Sequence, residues 1–140
     1  MDKIIESLNE QDTFELGFKM GQEANPGDVC TLIGDLGVGK TVFTQGFAKG
    51  LGIDDNVCSP TFTIVQVYDE GRLPFYHFDV YRIGDSEEMY EVGFEEYVYG
   101  DGICLIEWAN LLEEGLLPES AMNINLEYGK TEDERILTIE

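Results

Sequence analysis

Residues 28–52 read DVCTLIGDLGVGKTVFTQGFAKGLG, and within them Gly34, Gly39, Lys40 and Thr41 satisfy the phosphate-binding pattern G-x-x-x-x-G-K-[ST]. That pattern carries chemistry only between a strand and a helix, and both flanks are supplied. Upstream, Val29, Cys30, Thr31, Leu32 and Ile33 form a β-prone run introduced by Pro26 and Gly27, as a buried parallel strand would. Downstream, Phe43, Phe47 and Leu51 recur at i, i+4 and i+8, an apolar helical stripe, with Gly50 and Gly52 to stop it. Gly37 and Gly39 can take backbone angles that turn successive N–H groups inward around anionic oxygens, and the helix dipole adds to the attraction. Lys40 suits the β- and γ-phosphates as a mobile positive charge, and the Thr41 hydroxyl suits Mg²⁺. Asp35, Leu36, Gly37, Val38, Gly39, Lys40, Thr41 and Val42 are therefore the nucleotide-binding candidates. No N-K-x-D guanine-recognition sequence is present, which favours ATP over GTP.

A chain of 140 residues with 43% apolar content has the size of one domain, residues 1–140, and can bury a core. The 29 acidic against 8 basic residues leave a net charge of −21. That charge opposes independent binding to nucleic acid or an anionic membrane. Any nucleic acid involved is expected to be held by a partner. Cys30, Cys58 and Cys104 are odd in number, widely spaced and set in apolar or strand-like surroundings. They read as reduced, mostly buried thiols of a cytoplasmic protein, without zinc-ligand or disulfide-framework spacing. The start, MDKIIESLNEQD, lacks a signal-peptide apolar core, and no run reaches the ~18 apolar residues of a membrane span, so a soluble protein is expected.

Asp12 and Glu15 have capping-box spacing ahead of a helix to about Glu23, although Gly17 and Gly21 weaken it. After a connector from Asn56 to Pro60, Thr61–Tyr68 and Leu73–Val80 read as the strands of a hairpin. Asp85 or Ser86 would cap a short acidic helix through Glu87, Glu88 and Met89. Ile103–Ile106 is a compact apolar strand ending at Glu107 and Trp108, and a leucine-bearing segment stops near Pro118. Met122, Ile124 and Leu126 alternate with polar residues, and a last strand spans about Arg135 to Ile139.

A phosphate loop needs an acid at the end of a neighbouring buried strand to hold Mg²⁺, directly or through water. Glu107 after Ile103–Ile106 and Asp79 after Phe75–Phe78 both qualify; either also fits a loop cap or a partner for Arg82. His77, the single histidine, reads as a packed residue with its ring nitrogens satisfied, with a catalytic role as the alternative. Trp108 suits a core or rim aromatic, or a stacking surface. Arg82 suits either γ-phosphate charge or a local carboxylate. The connector residues Ser59, Pro60, Thr61, Phe62 and Thr63 lie where nucleotide hydrolases place a γ-phosphate-sensitive segment, so Ser59 and Thr61 join the site-adjacent candidates beside an ordinary turn reading.

GDLGVGKT at Gly34–Thr41, SPTFTIVQVY at Ser59–Tyr68, YHFDVYRI at Tyr76–Ile83 and ICLIEW at Ile103–Trp108 together resemble the bacterial TsaE family, in order over nearly the whole chain. Cys58 stands where some relatives carry a basic residue. The resemblance implies an α/β phosphate-loop NTPase fold with a mixed, mainly parallel sheet flanked by helices. It implies Mg²⁺-dependent ATP hydrolysis that resets the TsaD and TsaB proteins, which carry the threonylcarbamoyl transfer onto tRNA. Thr41 and Glu107 match magnesium-associated positions, Asp79 a further acid important to hydrolysis, and Trp108 a site-adjacent residue. With Lys40, Asp79 and Glu107 are the catalytic candidates, and Thr41, Glu107 and Asp79 the metal candidates. Two other functions fit the pattern: a nucleotide-gated interaction module without essential hydrolysis, and a small-molecule kinase. The kinase is disfavoured because the only arginines are Arg72, Arg82 and Arg135.

Overall fold

The computed structural model describes residues 3–34, 39–54, 65–80, 93–108, 117, 118 and 120–140. Its strands are β1 (Lys3–Ser7), β2 (Val29–Ile33), β3 (Val65–Tyr68), β4 (Phe75–Asp79), β5 (Ile103–Glu107), β6 (Met122–Tyr128) and β7 (Arg135–Ile139). The helices are α1 (Glu10–Glu23), α2 (Lys40–Gly50) and α3 (Phe94–Val98). The strands make one seven-stranded sheet in the order β1-β7-β6-β2-β5-β4-β3. The central strands β6, β2, β5 and β4 pair in parallel, whereas β7 is antiparallel to both β1 and β6, and β3 to β4. Five strands therefore run one way and two the other, the expected mixed, mainly parallel sheet.

Composition decides which strands are central. Every residue of β5 is buried, as are Val29 to Leu32 of β2, so these near-continuous apolar runs are covered on both faces. In β6 only Ile124 and Leu126 are buried, in keeping with its alternation. One face of the sheet packs Leu32, Leu105, Phe75 and Ile124 against Phe43, Phe47 and Leu51 of the α2 region. The opposite face packs Val29, Phe78, Cys104 and Ile106 against Phe94 and Val98 of α3.

The glycines of α1 are explained by its neighbour. A Cβ at Gly17 or Gly21 would overlap the carbonyl oxygens of Phe43 or Phe47, and one at Gly46 or Gly50 would overlap those of Phe14 or Phe18. Four missing side chains let the two helix backbones touch, which seats α2 against the sheet.

Two expectations need correction. The N-cap of α1 is Asn9, one turn before the expected pair: Asp12 N–H donates to Asn9 Oδ1 at 2.9 Å, and Asp12 Oδ2 accepts from the N–H of Leu8, the residue before the cap, at 3.0 Å. Glu15 instead accepts a bond from Gln11 Nε2 on the exposed face. The edge strand β1 was not expected, because KIIES buries only Ser7 and shows no clear alternation; its pairing with β7 holds it in place. The hairpin is present as β3 and β4, from Val65 onward, with Tyr68 opposite Phe75. Its turn is pinned to α1 by Arg72, whose Nη2 donates to the carbonyls of Gly21 and Ala24 at 2.7 Å each. Residues 61–64, the expected acidic helix near residues 85–89 and the leucine-bearing segment through residue 116 lie outside the described residues. No helix among the described residues is long and apolar enough to cross a membrane.

Candidate functional site

The carboxyl ends of β2, β5 and β4 lie side by side, since Leu32 is in register with Glu107 and Glu107 with Asp79. Crevices outside such strand ends are where open α/β sheets bind ligands. From the end of β2 the chain reaches Gly34 and then enters α2 at Gly39, whose φ of 107° is a left-handed conformation that a side chain would strain. As the N-cap of α2, Gly39 contributes no capping side chain, so the amides of the first turn face the end of the helix where an anion is favoured.

Lys40, the first residue of α2, is only 6% exposed, an unusual place for an ammonium group. Its Nζ lies 3.9 Å from the centroid of the Trp108 ring, within cation–π range. Trp108 directly follows Glu107 and is the one non-glycine residue with positive φ, 63°, among those described. That backbone turn sends the chain out of β5 beside the lysine. Thr41 is exposed in the first helical turn and Val42 is half-buried. Glu107 and Asp79 are 4% and 5% exposed, so two carboxyl groups sit inside the sheet layer next to the helix start.

His77 belongs to this cluster. Along β4 it shares a face with Asp79, two residues on, and its Nε2 lies 2.7 Å from Glu107 Oε2. Phe75 stacks on the imidazole with centroids 6.0 Å apart and planes 9° from parallel. The expectation of two satisfied ring nitrogens holds for Nε2 alone: Nδ1 is buried without a hydrogen-bond partner among the described residues. The sequence signal for this contact was the i, i+2 spacing of His77 and Asp79, but the partner depends on the register of a strand 30 residues away.

The structure thus brings together Gly39, Lys40, Thr41, Asp79, Glu107 and Trp108, and adds His77. Asp35, Leu36, Gly37, Val38, Ser59, Thr61 and Arg82 lie outside the described residues. Among those described, no cluster of three or more His, Cys, Asp or Glu forms an all-protein metal cage. The donor set of two carboxylates and a hydroxyl nevertheless suits Mg²⁺, which takes one or two carboxylates and completes its octahedron with phosphate and water oxygens. A separate cleft of about 210 Å³, lined by Met20, Glu23, Asp28, Cys30 and Met122 among others, opens near the start of β2, away from these strand ends. Cys30 and Cys104 are free and buried as expected; burial, with Asp28 near the first, pushes both thiols up to about 12. Cys58 lies outside the described residues.

A central parallel sheet, a helix that begins at the left-handed Gly39 five residues after Gly34 at the end of the middle strand, and acids at the adjoining strand ends define a protein of the phosphate-loop α/β class. Residues 7–137 match the family model "Threonylcarbamoyl adenosine biosynthesis protein TsaE", and the chain belongs to the TsaE family. It is 48% identical over 132 residues to the tRNA threonylcarbamoyladenosine biosynthesis protein TsaE of Bacillus subtilis, covering 94% of this chain and 81% of that one. Identity to the protein of the same name from Treponema pallidum is 44% over 120 residues, covering 86% and 87%. The crystal structure of Bacillus subtilis YdiB superposes with a TM-score of 0.82 at 40% identity, covering 99% of this chain and 84% of that one.

Proposed function

We propose that residues 1–140 form a single-domain, Mg²⁺-dependent ATPase of the cytoplasm that serves threonylcarbamoyladenosine modification of tRNA. Its nucleotide state would control docking on, and resetting of, a transfer complex of TsaD-like and TsaB-like proteins. The observation that carries the ATPase reading is a buried lysine at a helix start beside two buried acids on neighbouring parallel-strand ends. The names of the relatives support the pathway.

In this reading the amides of residues 35–42 cradle the phosphates, and Lys40 holds the β- and γ-phosphate oxygens. Thr41 and Glu107 would hold Mg²⁺, with Asp79 as the second acid beside them. When bound, Mg²⁺ supplies neutralisation of the charge that develops on the phosphates as water attacks in line. Lys40 adds to that neutralisation from a site where little water competes, which makes its charge more effective than on an open surface.

Phosphate release from ATP, measured with and without the TsaD-like and TsaB-like partners, tests the reading. Turnover should rise with the partners and fall by about 10² or more in Glu107→Ala, the scale of losing one preorganised charge contact. If Glu107→Ala binds ATP and still supports the tRNA modification in cells, the chain is a nucleotide-gated interaction module. Failure of folded protein to bind ATP or ADP with Mg²⁺ would overturn both readings.

A further inference from the structure

We propose that His77 is a positioning residue for Glu107, fixing its carboxylate from behind the site; this rests on the role given to Glu107 above. His77 is 1% exposed, and Phe75 stacks on its ring almost in parallel. A position that served packing alone would be filled better by a second phenyl ring, because a buried polar atom without a partner is costly. Nδ1 has no partner among the described residues, while Nε2 makes a 2.7 Å contact with Glu107 Oε2. Geometry selects the tautomer. A proton on Nε2 gives the carboxylate a donor and leaves Nδ1 as a bare lone pair. A neutral ring protonated on Nδ1 would bury an N–H without an acceptor among the described residues and set a lone pair against Oε2.

The sheet explains why a donor is needed there. Asp79 and Glu107 are register partners on β4 and β5, so two carboxyl side chains leave neighbouring strands side by side on one face, where like charges repel. His77 pairs in register with Leu105, two residues before Glu107, and therefore reaches Glu107 diagonally along the same face. With Oε2 engaged and the imidazole clamped by Phe75, rotation of the Glu107 carboxylate is restricted. The orientation of Oε1 is then set before any ligand arrives. Partners behind a ligating side chain commonly change metal affinity or activity by about 10- to 100-fold when removed.

Because the chain has one histidine, its ring nitrogens can be read directly by long-range proton–nitrogen NMR on the whole protein without nucleotide. The expected spectrum is the Nε2–H tautomer, perturbed by Glu107→Gln. An Nδ1–H tautomer, or a spectrum indifferent to Glu107→Gln, overturns the proposal without any variant of the buried histidine. In parallel, His77→Gln retains an amide donor near the ε position and His77→Asn does not. His77→Gln should keep turnover within about 3-fold. His77→Asn should lower kcat about 10-fold or more and raise the half-saturating Mg²⁺ concentration of the ATP-analogue complex several-fold, with little change in KM for ATP. Equal behaviour of the two folded variants overturns the positioning role. If Glu107→Ala itself turns over ATP like the wild type, the site reading falls and takes this inference with it; an inactive Glu107→Ala beside equal His77 variants sinks the inference alone.

Discussion

At the scale of single residues, the site is a set of polar groups placed where apolar ones would be expected. Lys40 is buried against the face of Trp108, the only tryptophan in the chain. A phosphate ligand that draws the ammonium toward itself must weaken that cation–π contact and change the surroundings of the indole. Adding ATP should therefore alter the intrinsic tryptophan emission of the wild type, and Lys40→Met should abolish the change; an unaltered emission on saturating ATP would count against a shared site. Lys40, Thr41, Glu107 and Asp79 were legible in the sequence because a fixed spacing or the end of an apolar run marks each of them. The link between His77 and Glu107 was not, since it depends on which residues of β4 and β5 come into register. The buried thiols offer a check of another kind. Folding raises Cys30 and Cys104 from 9.0 to about 12, chiefly by burial, so between those limits the folded chain holds protons that the unfolded chain has lost. Their contribution to stability is complete below about pH 9 and is lost as the pH rises toward about 12. The melting temperature should fall across that range, and less steeply in Cys30→Ala/Cys104→Ala, when both are followed by circular dichroism.

At the scale of elements, the close approach of α1 and α2 depends on their glycines. An Ala in place of a mid-helix Gly ordinarily stabilises a helix by about 1 kcal/mol. At Gly46 the added Cβ would overlap the Phe14 carbonyl, which is backbone and cannot swing aside. Overpacking of that kind costs about 1–3 kcal/mol or more, so the steric term exceeds the propensity term. Gly46→Ala should destabilise the protein in chemical denaturation by about 1–3 kcal/mol, and a stabilised variant would show that the helices do not touch there. Gly17 and Gly21 weakened the sequence reading of α1 for the same reason that they matter in the fold. A glycine that admits a neighbouring backbone cannot be told from a helix-weakening one until its neighbour is known. By contrast β2, β5, β6 and β7 were legible, because a doubly buried strand is continuously apolar and a half-exposed strand alternates. β1 carried neither pattern, since antiparallel pairing with β7 at an edge places few demands on its side chains.

At the scale of the whole molecule, charge governs what the chain can approach unaided. A net charge of −21 on 140 residues leaves few cations to offset neighbouring carboxylates. Lys49 and Asp54 form an ion pair at 3.5 Å, but both side chains are largely solvated, so screening removes most of its worth. With 29 acidic against 8 basic residues, self-repulsion is expected to outweigh local attraction, and it acts over the screening length, about 30 Å at 0.01 M salt and about 10 Å at 0.1 M. Melting temperature should accordingly rise between these two salt concentrations, the reverse of a protein held together by surface ion pairs. The same field repels a polyanion, whose affinity for proteins comes largely from lysine and arginine neutralising phosphates. The isolated chain should therefore show no tRNA binding in filter assays at physiological salt, and retention of tRNA should require the TsaD-like and TsaB-like partners. Binding by the chain alone that weakens steeply with added salt would mean that its few basic residues form a local phosphate-binding patch strong enough to overcome the overall field.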